Sequence, residues 1–107
     1  MAYSIYPMPQ YDEWYETQTE KSKFQIEKRL NNIREHDHFG KINHLEDGLE
    51  ELKFNDGRRI YYTILPVNNV VLLLGGNKNG QSFDISKAKK IIEKAKENAE
   101  KRGRSKS

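Results

Sequence analysis

The chain has 107 residues, 33% of them charged and 35% hydrophobic, with a net charge of +3 and a pI of about 9.1. That length predicts one domain over residues 1–107, with no room for a separate regulatory module. The absence of cysteine excludes a disulfide scaffold, a thiol nucleophile and a thiolate metal site.

Net positive charge attracts polyanions but does not distinguish RNA from DNA or from an acidic protein. Much of the excess sits in Lys101, Arg102, Arg104 and Lys106, so a basic, frayed tail is expected from about residue 101. The first ten residues lack the basic start and apolar stretch of a secretory signal, and the longest apolar run, Val70 to Leu74, is far too short to span a bilayer. A cytoplasmic protein with no membrane partner is the expectation.

In chain order, Tyr3 to Tyr6 predict a short strand ended by Pro7 and Pro9, since proline has no N–H to continue a ladder. Two helices follow. The first, from about Gln10 to Glu20, carries Tyr11, Trp14, Tyr15 and Gln18 at helical spacing; the second, from about Ser22 to Glu35, carries Ile26, Leu30 and Ile33. Each has one apolar stripe, which predicts a helical hairpin lying on a flat surface. Lys41 to Leu45 predict a further strand.

From Leu49 the period changes to two. Leu52 and Phe54 alternate with Glu51 and Lys53, and Ile60, Tyr62 and Ile64 alternate with Arg59, Tyr61 and Thr63. Asn55-Asp56-Gly57 and Pro66-Val67-Asn68-Asn69 are turn clusters, so residues 49–76 read as a three-stranded antiparallel meander. A three-residue first turn, closed by Gly57 in the left-handed region, sets Leu52 opposite Ile60 and Lys53 opposite Arg59, keeping apolar residues together. A C-terminal helix starts near Ser82, with Ile85, Ala88, Ile92, Ala95 and Ala99 as its seam and Ser82 or Asp84 as its cap. The fold class is α+β: a helical hairpin on a mostly meander sheet, then a helix.

If the helices cover the face carrying Leu52, Ile60, Tyr62 and Ile64, the other face presents Lys53, Arg59, Tyr61 and Thr63 in the open. With Asn68-Asn69 at the second hairpin's centre, Gly75-Gly76 end beside Arg59 and Lys78 follows, so Lys53, Arg59 and Lys78 converge at one end of the sheet. Such a cluster suits metal-free RNA cleavage, in which a 2′-hydroxyl attacks the adjacent phosphate and a crowded anion must be stabilised. Arginine matches phosphate with a bidentate fork, a lysine can act as base where neighbouring cations depress its pKa, and Tyr61 can stack on a base or donate a proton. Arg59 is expected to project from the sheet, engaged only by phosphate. An ordinary solvated sheet face is the competing reading of the same pattern.

Other motifs are weaker. His36 and His38 point apart on a helix, so no metal is expected, and His44 reads as a surface residue near the strand edge ahead of a proton donor. Residues 75–80 superficially suggest a phosphate loop but lack the glycine-lysine-serine/threonine ending, and no cofactor is expected. Trp14 and Tyr15 read as packing residues.

The order of signals from Tyr11 to about Ala95 resembles the RelE/ParE toxins, and especially the addiction-module killer proteins related to HigB. The carriers are Tyr11-Asp12-Glu13-Trp14, Phe39-Gly40-Lys41, Gly48-Leu49-Glu50-Glu51-Leu52-Lys53, Arg59-Ile60-Tyr61-Tyr62, Leu72-Leu73-Leu74-Gly75-Gly76-Asn77-Lys78, Gln81 and Asp84-Ile85. The resemblance implies a small RelE-like fold and the toxin of a type II toxin–antitoxin module. The activity implied is ribosome-dependent, metal-independent mRNA cleavage, with ParE-like inhibition of DNA gyrase as the alternative. Arg59 then contacts the scissile phosphate, Lys78 and Lys53 complete the catalytic set, and Tyr61, Arg58 and Lys41 bind RNA. The implied partners are an adjacently encoded helix-turn-helix antitoxin, mRNA and the ribosome. Two departures stand out: Lys53 replaces a common arginine and so loses its fork, and the turn before Arg59 reads Asn55-Asp56-Gly57-Arg58 instead of a glycine-proline-glycine-like sequence.

Overall fold

The computed structural model describes residues 2–105, with side chains through residue 101. Strand β1 (Ser4–Pro7) leads into helix α1 (Pro9–Glu16) and helix α2 (Glu20–His36). Strands β2 (Ile42–His44), β3 (Glu50–Lys53), β4 (Arg58–Leu65) and β5 (Asn69–Asn77) follow, and a 3₁₀ turn over Lys78–Gly80 opens helix α3 (Gln81–Ser105). The basic tail expected from residue 101 therefore begins in helix, while residues 106–107 and the side chains of residues 102–105 lie outside the described residues.

Local chemistry sets the helix boundaries. Pro9 suits the first position of α1, and the helix stops at Glu16 because Thr17 turns its hydroxyl back to the Trp14 carbonyl at 2.6 Å. Thr19 then caps α2 by accepting the Ser22 N–H at 3.1 Å. The break thus falls at residues 17–19 instead of near Ser22. At the far end Asp37 takes the left-handed conformation (φ 54°) that ends a helix. The start of α3 is capped one turn earlier than Ser82 or Asp84, because Asn77 accepts the Asn79 N–H at 2.9 Å.

The sheet order is β1-β5-β4-β3-β2, with β1 parallel to β5 and the other pairs antiparallel. Leu52 faces Ile60 and Lys53 faces Arg59, and Gly57 has φ +92°, as the three-residue turn requires. The second hairpin turns on Pro66–Asn68, with Leu65 opposite Asn69. A bulge between Tyr61 and Tyr62 gives β5 one extra residue, Leu73, and this brings Gly76 opposite Arg59.

Both faces of the sheet are packed. One face gathers Leu52, Ile60, Tyr62, Val70 and Leu72 with Tyr11 of α1 and Ile26, Leu30 and Ile33 of α2. The other gathers Leu49, Tyr61, Val71, Leu73 and Leu74 with Ala88, Ile91, Ile92 and Ala95 of α3. The face expected to lie open is therefore covered by α3. Thr63 is buried there and donates to the Gly48 carbonyl at 2.8 Å, whereas Ile64, expected in the core, is 42% exposed at the hairpin end.

Candidate nucleic-acid interface

The β3–β4 hairpin ends in an unusually basic region that its two faces divide. On the α2 side lies an open cleft of about 650 Å³, lined by Lys21, Lys28, Arg29, Lys41, Lys53 and Arg58, with His38 at its margin and Asp56 as its sole acid. Its floor is Phe54, whose ring lies under two guanidinium groups, Arg29 at 5.0 Å and Arg58 at 5.4 Å.

The two arginines have different duties. Arg29 spends all three nitrogens on backbone carbonyls: Nε to Phe39 at 2.6 Å, Nη1 to Lys53 at 2.8 Å and Nη2 to Lys41 at 2.7 Å. It ties α2 to the start of the sheet, and burial lowers its pKa from the usual arginine value. Gly40 (φ +76°) is required there, since a Cβ would sit 2.7 Å from Arg29 Nε. Arg58 donates to Asp56 and, at 2.9 Å, to Gln25 of α2, yet its Nη1 is buried without a partner. Burial alone would raise the Asp56 pKa, but the hydrogen bonds from Arg58 outweigh it and hold the carboxyl below its ordinary value. Among the described residues Lys21, Lys28, Lys41 and Lys53 form no ion pair, so the cleft keeps a surplus of uncompensated charge.

On the α3 side the centre is Glu51, fully buried. Its Oε1 accepts from Arg59 Nη1 at 2.8 Å and Asn43 Nδ2 at 3.0 Å, and its Oε2 accepts from Gln81 Nε2 at 2.8 Å. Arg59 is therefore held by a carboxylate, with its side chain 13% exposed, and does not project freely from the sheet. Tyr61 is fully buried beneath α3 and offers no ring face for a base in this state; burial, then the nearby Glu51 and Asp84, pushes its phenol far above the usual range. Burial likewise raises the Asp84 carboxyl, which lies over Gly76. Arg59 Nε is buried with no hydrogen-bond partner, while the Tyr61 hydroxyl faces the Glu51 carboxylate. Leaving such a donor as Nε unpaired costs about 1–3 kcal/mol.

The six residues singled out from the sequence thus share one end of the sheet but not one surface. Register puts Lys53 beside Arg59 and Gly76, and the Lys78 N–H donates to the Gly57 carbonyl at 3.0 Å. The exposed Lys78 lays its stem over Gly57, and Arg58 and Lys41 belong to the cleft. Sequence reasoning missed Lys21, Gln25, Lys28 and Arg29, although their spacing along α2 marks a polar stripe complementary to Ile26, Leu30 and Ile33. His36 and His38 are exposed, and among the described residues no group of three or more histidine, aspartate or glutamate side chains could hold a metal ion.

Comparison with solved structures defines the class: the fold is that of the RelE toxins. A double arginine-to-alanine mutant of E. coli RelE in the free state is similar with TM-score 0.67 and 20% identity, over 86% of this chain and 99% of that one. A chain of the intact E. coli RelBE toxin–antitoxin complex gives TM-score 0.59 and 18% identity over 71% and 96%. The RelBE2 toxin–antitoxin complex from Mycobacterium tuberculosis gives 0.59 and 13% over 73% and 100%. Residues 13–102 match the family described as phage derived protein Gp49-like (DUF891), and the chain belongs to that family. The RelE/ParE resemblance drawn from the sequence is thereby borne out. No curated protein matches the chain.

Proposed function

We propose that this chain is the toxin of a type II toxin–antitoxin module and acts in the cytoplasm as a ribosome-dependent, metal-independent mRNA endonuclease that inhibits translation. The observation that carries the reading is that strand register sets Lys53 beside Arg59 at the end of the sheet, with Lys78 against the Gly57 turn, next to a cleft with a surplus of cations. RNA phosphates track along Lys21, Lys28, Lys41 and Arg58, and the scissile phosphate is taken by Arg59. The 2′-hydroxyl then attacks that phosphate, a lysine of the cluster accepts or supplies protons, and the arginine stabilises the crowded anion. The ribosome contributes the remaining binding surface.

A protein that inhibits gyrase by binding alone has no need of convergent cations, which favours the nuclease. Similarity to two toxin–antitoxin complexes supports a cognate antitoxin. The proposed partner is encoded next to this gene and is of helix-turn-helix type, and its acidic or amphipathic segment is captured faster by the basic surface. Induction of the gene decides between the readings. Cleavage of messenger RNA on ribosomes is the expected outcome; intact messenger with rising DNA-damage signalling would sink it. Co-expression with the adjacent small open reading frame should restore growth, and the two products should co-purify.

A further inference from the structure

We propose that Glu51 is the positioning residue of this site: it grips Arg59 by Nη1 alone and so leaves the side-on edge of the guanidinium, Nε with Nη2, to receive a phosphate. The inference rests on the assignment of Arg59 to phosphate made above. The carboxylate is itself immobilised from three elements, by Asn43 of β2, Arg59 of β4 and Gln81 at the start of α3. Buried and bonded at both oxygens, it has no room to follow the arginine. The arginine must take its orientation from the carboxylate.

Arginine–carboxylate pairs are frequently bidentate, with two parallel N–H bonds from the fork. Here a single bond forms, at 2.8 Å, and Nε is buried beside it with no acceptor. Tyr61 lies directly across from Glu51 in the β3–β4 register, and its hydroxyl faces that carboxylate. Arg59 and Tyr61 belong to alternate positions of β4 and so to the same sheet face as Glu51. An ion pair serving stability alone gives no account of the unpaired Nε. A phosphate does, because its oxygens only accept, and its bidentate match to Nε and Nη2 requires that Nη1 be occupied elsewhere.

The test compares Glu51→Gln and Glu51→Ala with the wild type, with thermal melts to establish folding. Its first readout is the ¹⁵Nε–¹Hε NMR signal of Arg59 in the free protein, titrated with inorganic phosphate. The second is kcat and KM for cleavage of ribosome-bound mRNA. Glutamine keeps an oxygen for Arg59 once the Gln81 amide turns, so the signal should persist in that variant, with a smaller loss of rate than in Glu51→Ala. In Glu51→Ala the Arg59 signal should average with water, and kcat should fall by roughly 10²-fold, the usual effect of a misplaced group, with KM changed by less than about twofold. In the wild type phosphate should shift the Arg59 signal, and the shift should weaken in Glu51→Gln. Unchanged kcat and an unchanged signal in a folded Glu51→Ala, faster cleavage by either variant, or no phosphate shift in the wild type would each overturn the proposal. Should the wild type cut no messenger at all, the nuclease reading fails, while the phosphate titration still decides how Arg59 is held.

Discussion

At the scale of single residues, Arg59 holds the buried Glu51, and the proposed function gives it the scissile phosphate as well, so its replacements should have different consequences. Removing the guanidinium leaves the buried Glu51 carboxylate with Asn43 and Gln81 alone, so Arg59→Ala should lose both activity and roughly 3 kcal/mol of stability, the lower end for a broken buried pair. Arg59→Lys is the cleaner probe: it keeps the charge, loses the fork, and should stay folded while cleavage falls by about 10²–10³-fold. Urea melts beside cleavage assays would reveal an error if the lysine variant cut messenger normally.

Asp56 carries the pH dependence at the hairpin tip. Its folded pKa lies below the ordinary 3.8, so its contribution to stability is present above about pH 4 and disappears as pH falls through the folded value. The group is largely exposed, and solvent keeps the effect small. Asp56→Asn should flatten that part of the acid limb in urea melts recorded from pH 6 to pH 2, and an unaltered limb would remove the Arg58–Asp56 pair from the account.

At the scale of elements, period and turn chemistry made the meander legible: alternation over residues 50–65 and a glycine at position 57 gave the register that puts Lys53 opposite Arg59. What alternation could not supply was the bulge, because one extra residue in β5 leaves no mark on a run as uniform as Val70 to Leu74. That same run did carry the missing information about layers. Five consecutive apolar residues suit a strand buried on both faces, which is how β5 lies between α1 and α3. The candidate site was legible as a place on the sheet but not as two surfaces, since the partner of Arg59 sits eight residues away across the hairpin and Gln81 comes from another element. Gly75 shows how closely α1 is fitted to β5: a Cβ there would lie 2.0 Å from Trp14 Cδ2. Gly75→Ala should therefore destabilise by roughly 3 kcal/mol, whereas Gly76→Ala, which meets only the movable Asp84 carboxylate, should cost less. Equal melting temperatures for the two variants would contradict this packing.

At the scale of the whole molecule, a five-stranded sheet is clamped between α1 with α2 on one face and α3 on the other, and its β3–β4 end exposes the cationic cleft. Arg29 makes that cleft rigid by pinning α2 to the Phe39, Lys41 and Lys53 carbonyls. The claim on which function depends is that this end of the molecule cuts RNA on the ribosome. The most direct measurement incubates the purified protein with a defined messenger, with and without purified ribosomes, and maps the new ends. The account predicts cleavage only when ribosomes are present, at products bearing 5′-hydroxyl ends as expulsion by a 2′-hydroxyl requires, and far slower cleavage with Arg59→Lys. Uncut messenger on ribosomes, or equal cleavage by Arg59→Lys, would contradict it.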